Sequence, residues 1–409
     1  MRVIQFDASV PRYAVGLGLR RIYPPGLWKG MSCTYASEVG IPELPGEDWV
    51  RVRTIYGGIC GSDLSTIHLR VSPYFEPLNS YPFTFGHENI GVVDSAGEGA
   101  DEWHAGDRVV AEPTLWCRPR GFTNLCEYCT RGEVNHCQRL TEGTLSAGVS
   151  IGFCRDSGGS WGAYFLAHRS QLYRIPESMT DENGLMVEPF ATGLHAALLG
   201  IPEEAETVLI VGAGTIGLVT LAALRAIGCR SRILVLARYP FQAEAARRLG
   251  ADEALLGSDT DVYQEVSDRA GGRVLRPTIG KRVLVGGVAR TYDCVGSSSS
   301  LDDSLRLTRE GGKVIVVGVP GIAKGVDWTS LFFKEVEVQG SYIYNHAETY
   351  LGEKWKTFDL AIQLLASGKV DLGWLVTHRF RLEEYDQALR LQDSRGRENV
   401  IKTVFDFRE

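Results

Sequence analysis

Cys60, His87 and Glu188 offer a thiolate, an imidazole and a carboxylate, which together can hold a zinc ion and leave one position open for water or substrate. They sit in three short stretches: residues 57–63 (G-G-I-C-G-S-D), 85–88 (F-G-H-E) and 187–189 (V-E-P). Glu188 lies in an otherwise apolar segment, where a carboxylate buried alone is costly and calls for a partner. Glu88, next to His87, is the alternative carboxylate. Each residue has a plainer reading when taken singly. Cys60 is then a buried thiol, His87 a satisfied core histidine, Glu88 a loop charge and Glu188 an acid at a helix start ahead of Pro189. Their joint presence favours the metal.

A second group is Cys117, Cys126, Cys129 and Cys137, the last three spaced C-x2-C-x7-C. Four thiolates on one short excursion suit a closed, structural zinc site. The alternative, four free thiols in a loop, is an oxidation hazard. Cys33, Cys154, Cys229 and Cys294 read as ordinary buried residues.

The third chemical feature is a glycine-rich turn. Residues 207–211 (T-V-L-I-V) have the β-branched, apolar character of a buried parallel strand, and Gly212, Gly214 and Gly217 follow at G-x-G-x-x-G spacing. A helical pattern continues beyond them. In that order the first glycine makes the tight turn, the second admits a pyrophosphate and the third allows close helix–strand packing. Gly212, Gly214, Thr215, Ile216 and Gly217 are therefore the candidate dinucleotide cradle, with the helix N-terminus offering its free N–H groups to phosphate. An acid at the end of the next strand hydrogen-bonds the adenosine ribose in NAD-specific folds. Here that strand is residues 232–236, and the acid's place falls on Ala237, followed by Arg238 and Tyr239. Alanine removes the repulsion of a 2′-phosphate, guanidinium suits bidentate phosphate contact, and the aromatic can flank adenine. NADP(H) is favoured over NAD(H).

These groups need a scaffold. A chain of 409 residues is too long for one ordinary core, so two domains are expected. Up to about residue 180 the sequence is β-rich, with short alternating runs such as residues 49–53 and 108–110. Residues 11–30, rich in glycine, proline and aromatics, read as an extended surface segment. From about 186 to 345 strands and helices alternate, with strands expected at 207–211, 232–237, 253–256, 291–295, 313–318 and 336–340. That alternation predicts a doubly wound parallel sheet of six strands. Residues 257–289 read as an irregular loop excursion. The tail holds an amphipathic helix near 356–367 and a final strand near 401–405. The net charge of −7 argues against nucleic acid or an anionic membrane as an obligate partner. There is no bilayer-length apolar run and no signal-peptide pattern at the N-terminus. The nine cysteines then read as metal ligands or buried thiols of a cytoplasmic protein, rather than disulfides.

Together these motifs resemble the zinc-dependent medium-chain dehydrogenases/reductases. The resemblance runs from about residue 45 to the C-terminus. It rests on G-I-C-G-S-D (58–63), G-H-E (86–88), G-D-R-V (106–109), the four-cysteine lobe, V-E-P (187–189) with His195 after it, V-G-A-G-T-I-G (211–217) and G-G-K-V-I-V-V-G (311–318). The Glu-Pro form is most similar to the sorbitol, threonine and sugar dehydrogenase branch. The resemblance implies Cys60 and His87 as catalytic zinc ligands, with Glu188 or Glu88 completing the set. It places at Ser62 the hydroxyl that starts a proton relay. It also implies an α/β architecture: a GroES-like β-rich catalytic domain from both chain ends (1–185 and 346–409), with a Rossmann domain (186–345) between them. Three features depart from the family pattern. Ser65 stands where many relatives carry a relay histidine, His68 being off-register. Eight residues rather than two separate Cys117 from Cys126, and residues 1–44 and 257–289 have no counterpart.

The expected activity is hydride transfer between a nicotinamide coenzyme and a secondary alcohol, polyol or sugar-like alcohol and its carbonyl. Zinc serves as Lewis acid. Loops near 64–80, 116–125 and 341–350 carry the aromatics Tyr74, Phe75, Trp116, Tyr342 and Tyr344, which fit a small neutral substrate. A homodimer or homotetramer is expected. The competing readings are a zinc-independent reductase of activated double bonds on the same fold, and a catalytically silent nucleotide-binding protein.

Overall fold

The computed structural model describes residues 1–257, 260–394 and 396–408. The chain divides into two compact units. One comprises residues 1–188, 345–347 and 354–409, and the other residues 189–344 and 348–353.

The first unit is built on a seven-stranded sheet. Its path runs Val376–Phe380, Lys402–Asp406, Trp49–Gly58, Asn89–Ala96, Arg108–Ala111, Leu172–Arg174, and Tyr164–His168 also pairs with Trp49–Gly58. The two alternating runs expected from sequence fall in the central strand and in Arg108–Ala111. Antiparallel pairing with alternating burial places Val50, Val52, Val93, Val109 and Phe165 in the core. The strand Trp49–Gly58 runs directly into Cys60 and the helix Gly61–Ile67. Sheet and site are thus continuous in the chain.

Residues 11–30 are not extended. Val10–Ile22 is a helix and Pro24–Leu27 a short 3-10 turn. Its two glycines obscured the helical pattern, and one of them has a packing reason. A Cβ on Gly16 would lie 2.3 Å from Ser32 Oγ and 2.7 Å from Leu69 Cδ1, so only glycine lets the helix settle there. The strand Arg2–Phe6 pairs with Thr34–Glu38 and Phe83–Thr84. It adds Ile4 and Phe6 to a core shared with Trp28, Phe85, Trp161 and Phe405.

The second unit is a six-stranded, wholly parallel sheet in the spatial order Glu253–Leu256, Arg232–Ala237, Thr207–Val211, Val288–Asp293, Thr308–Val316, Glu337–Gly340. In chain order this is 3-2-1-4-5-6, the doubly wound Rossmann arrangement. All six strands coincide with, or overlap, the runs expected from sequence. The expected loop excursion at 257–289 is corrected. Ser258 and Asp259 lie outside the described residues, but Val262–Ala270 is a helix capped by Asp261, whose side chain accepts from Gln264 N–H. Gly272–Leu275 and Val283–Gly286 form a hairpin. Its inward residue Leu284 joins the core with Val288, while Leu275, Val283 and Val285 face outward. That outward apolar face hid the strand alternation. Among the described residues no helix is long and apolar enough to cross a membrane.

Candidate active site and metal centres

Cys60 is the N-cap of the helix Gly61–Ile67. Its backbone N–H donates to Asp63 Oδ2 at 2.9 Å, and the Cys60 side chain accepts from the third helical N–H. This reciprocal cap fixes the thiol at the mouth of the helix and buries Asp63 completely beside it. Asp63 Oδ1 then faces His87 Nδ1 at 3.4 Å. The distance is long for a full hydrogen bond, and neither atom has one elsewhere, so the contact is read as electrostatic. Burial opposes protonation of His87, but the Asp63 and Cys60 charges outweigh it and raise the pKa well above the ordinary histidine value. The other ring nitrogen, Nε2, lies 3.4 Å from Ser62 Oγ. Phe153 packs against the ring, with centroids 5.6 Å apart.

The two candidate glutamates differ sharply. Glu88 is ion-paired with Lys402, both fully buried. Glu188, in the first turn of the helix Val187–Leu199, makes no hydrogen bond or salt bridge among the described residues. Burial pushes its pKa up to about 7, with His87 pulling it down and Glu88 adding to the rise. His87 thus has the Cys60 thiol, the Ser62 hydroxyl and the buried acid of Glu188 within electrostatic reach, although among the described residues only the four-cysteine group has its ligand atoms within 4.8 Å of one another. The donor chemistry fits a zinc ion, and the carboxylate behind His87 is the orienting partner that metal-bound histidines ordinarily have. Sequence reasoning missed Asp63 and Lys402. The first was in view within G-I-C-G-S-D, but nothing signalled the second, more than three hundred residues away.

Two other histidines are engaged elsewhere. His68 Nε2 lies 3.1 Å from Asp393 Oδ1 and its ring stands edge-on to Trp28. Within the second unit, His195 Nδ1 meets Glu348 Oε1 at 2.6 Å with both side chains buried. Of the expected pocket aromatics, Tyr344 and Trp116 are buried, Tyr74 is exposed and Tyr342 is at the edge of exposure. Tyr344 therefore belongs to the core. Cys229 and Cys294 are half-buried rather than fully so.

Cys117, Cys126, Cys129 and Cys137 are all buried, and their sulfurs lie within 4.8 Å of one another. Cys117 and Cys137 Sγ are 3.7 Å apart. A tetrahedron with metal–sulfur arms of about 2.3 Å has edges of about 3.8 Å, so the spacing fits zinc. A hydrogen bond from Cys129 lowers the Cys137 pKa to about 6 against the pull of burial. Burial holds Cys117 up to about 11, and Cys129 is raised as well. Burial raises the Cys126 thiol, but backbone hydrogen bonds at Gln138 and Cys129 outweigh it and lower its pKa, so the protein alone favours ionisation at two of the four, and a dication would hold the others deprotonated. The enlarged spacing between Cys117 and Cys126 contains Arg120. Its buried guanidinium donates to the carbonyls of Leu115, Glu142, Leu145, Ser146 and Gly148.

In the second unit Gly212 ends the first strand with φ +96°, where a Cβ would lie 2.5 Å from Val295 Cγ2. A Cβ on Gly217 would lie 1.8 Å from the Gly212 carbonyl oxygen, so close packing of helix on turn demands glycine. Gly214, the N-cap of the helix Thr215–Ala226, faces open space. Thr215 and Ile216 begin that helix. The open face of Gly214 is the cradle a pyrophosphate requires, and the dinucleotide fits it. Ala237 is buried at the end of Arg232–Ala237. Arg238 is exposed and stacks over Tyr239 at 5.4 Å, with no carboxylate partner among the described residues.

Residues 46–177 match the profile of the alcohol dehydrogenase GroES-like domain, and residues 215–367 match that of the zinc-binding dehydrogenase. The chain is 30% identical over 376 residues to L-idonate 5-dehydrogenase of Vitis vinifera, covering 90% of each. It is 30% identical to galactitol 1-phosphate 5-dehydrogenase of Escherichia coli (strain K12), covering 87% of this chain and 92% of the relative. A crystal structure of a zinc-binding dehydrogenase from Sinorhizobium meliloti 1021 bound to NADP superposes with a TM-score of 0.71 at 26% identity, covering 91% of this chain and 96% of that one.

Proposed function

This chain belongs to the zinc-dependent medium-chain dehydrogenases/reductases, and we propose from there that it interconverts a polyol or sugar-like secondary alcohol and its ketone with NADP(H). It is an oxidoreductase acting on a small molecule. The relatives support the alcohol reading and give no support to a zinc-free double-bond reductase or a silent binding protein. The observation that carries the proposal is Glu188, a buried carboxylate that makes no hydrogen bond or salt bridge among the described residues and lies within electrostatic reach of His87.

We assign zinc to Cys60, His87 and Glu188, where it supplies Lewis acidity toward the substrate oxygen, while the coenzyme carries the hydride. Asp63 holds His87 with Nε2 free for the metal. Ser62 Oγ, 3.4 Å from Nε2, is placed to accept the substrate hydroxyl proton and begin its export. His68 is held by Asp393, so the proton leaves Ser62 by another route. Phe153 offers an aromatic wall beside the imidazole, suited to the C–H face of a sugar-like substrate. In the nucleotide unit Gly212, Gly214, Thr215, Ile216 and Gly217 hold the pyrophosphate. Arg238, stacked on Tyr239, takes the 2′-phosphate that Ala237 does not repel. The four-cysteine lobe takes a second, structural zinc.

We also propose a homo-oligomer. The edge strand Glu337–Gly340 is flanked by exposed Trp328, Phe332 and Phe333, an apolar surface suited to a second copy. Nine unpaired cysteines favour the reducing cytoplasm. The test is a panel of alcohols and carbonyls with both coenzymes, on protein of measured zinc content. Turnover of polyols with NADP(H) that tracks zinc content is expected. Turnover indifferent to zinc refutes the proposal.

A further inference from the structure

The helix Gly61–Ile67 is held at its two ends by different parts of the chain. At its start Asp63 caps Cys60. At its end His68 is the C-cap, and Leu69 follows with φ +52°, a left-handed conformation that leucine rarely adopts. Arg70 N–H donates to the Ser65 carbonyl at 2.8 Å and Leu69 N–H to that of Thr66 at 3.0 Å. These are the paired bonds of a Schellman motif, with leucine in the place that glycine usually takes. Such a conformation persists only where its surroundings over-determine it.

Residues ahead of 46, where the match to the GroES-like profile begins, supply those surroundings. Leu69 is buried against Gly16 of the helix Val10–Ile22, and its Cδ1 occupies the space that the missing Cβ leaves. Arg20 of the same helix donates from Nη1 to the Leu69 carbonyl at 3.2 Å. Trp28 stands edge-on to His68, and its own Nε1–H donates to Asp386 Oδ1 at 2.8 Å. Beyond Leu69 the chain passes through the 3-10 turn Pro73–Leu78, which carries Tyr74 and Phe75 and buries none of its residues. It is fastened again at Ser80, whose hydroxyl accepts from Arg155 N–H at 3.0 Å. Two residues before Arg155, the Phe153 ring packs on His87. Residues 70–79 are thus strung between the helix that bears Ser62 and the aromatic wall of the His87 imidazole.

We propose that the N-terminal segment, through Gly16 and Arg20, holds Leu69 in its left-handed conformation and so directs the loop 70–79 as a wall for the carbon chain of the alcohol. Gly16 and Arg20 are then positioning residues for substrate binding, remote from the hydride step. The inference rests on the reading above that Ser62 faces the substrate. With Asp63 still capping its start, the helix keeps Cys60 and Ser62 in place when its far end is loosened. Loss of the Leu69 anchor therefore weakens substrate binding and spares the chemical step.

The test compares full-length wild type, Gly16→Ala, Arg20→Met, Arg20→Lys and Arg21→Met on the alcohol that the wild type turns over best. Gly16→Ala pushes the helix off Leu69, and Arg20→Met removes the donor. Both should raise the alcohol KM by about tenfold, roughly the worth of one hydrogen bond to a charged group, with kcat and the coenzyme KM within about twofold. Arg20→Lys, which keeps a cationic donor, should recover most of the loss. Arg21→Met, at an exposed neighbouring position, should match the wild type. Amide hydrogen exchange in residues 70–79 should quicken in Gly16→Ala and Arg20→Met, with or without substrate. Wild-type KM in both of these variants overturns the proposal. A fall in kcat at unchanged KM, or a lowered unfolding midpoint alone, overturns it equally. Should Gly16→Ala fail to fold, Arg20→Met and its lysine counterpart decide the matter. Wild-type protein that turns over no alcohol or carbonyl refutes the reading above, and this inference with it. An active wild type with unaltered variants refutes this inference alone.

Discussion

Asp63 Oδ1 stands 3.4 Å from His87 Nδ1, and neither atom makes a hydrogen bond elsewhere. Asp63 reaches that place because its other oxygen caps the helix that begins at Cys60. One side chain therefore sets the position of the thiol and the direction of the imidazole. Asp63→Asn keeps the shape and removes the charge. Its catalytic-site zinc should bind about 10–100-fold more weakly, as read by chelator competition. NADPH affinity should stay within about twofold, since the glycine turn lies in the other unit. Unchanged zinc affinity would show that the contact is incidental.

Cys60→Ala removes one of the three proposed ligands. Hydride transfer should fall by at least about three orders of magnitude, with coenzyme binding retained by fluorescence titration. Near-normal turnover in this variant refutes the zinc mechanism.

Elemental analysis of the native protein should return close to two zinc ions per chain. Cys129→Ser should reduce this to one, because a closed four-sulfur site tolerates loss of a ligand poorly. A native value near one, indifferent to Cys129→Ser, leaves the lobe without metal.

Coenzyme preference follows from Ala237 and Arg238. The native protein should show higher kcat/KM with NADP(H). Ala237→Asp/Arg238→Ala should shift the ratio toward NAD(H) by on the order of 10–100-fold, the worth of one charged hydrogen-bond set. Native preference for NAD(H) means that Arg238 points elsewhere.

His168 provides a pH prediction away from the metals. Its Nδ1 accepts from Ser170 N–H at 3.1 Å, its ring stands edge-on to Trp49, and burial lowers its pKa to about 4. The unfolded chain, with an ordinary histidine, binds the proton first as pH falls. Stability is therefore complete above about pH 6.5 and is lost toward pH 4, by on the order of 3 kcal/mol. Unfolding midpoints of native protein and His168→Gln should converge across that window. Parallel pH profiles contradict the assignment.

The parallel sheet was legible because its strands are buried on both faces and read as unbroken β-branched runs, as in T-V-L-I-V before Gly212. The proposed metal ligands could be picked out because their chemistry is rare and local. Contacts that join distant parts of the chain were not. Nothing near Lys402 announces Glu88, and no local pattern marks Arg120 as the residue that five carbonyls surround. The helix Val10–Ile22 was missed because Gly16 and Gly18 weigh against helix locally. Only tertiary packing against Ser32 and Leu69 gives Gly16 its reason.

Arg120 has a consequence for the life of the cysteine lobe. Its guanidinium gathers carbonyls from Leu115 and from residues 142–148, on either side of the thiols, without drawing on any sulfur. With the proposed zinc bound the loop would be closed twice, once by an exchangeable ion and once by a permanent cation of the chain. A protein stripped by chelator keeps the frame into which the ion returns. Loss of the proposed zinc is then expected to be reversible rather than the first step of unfolding.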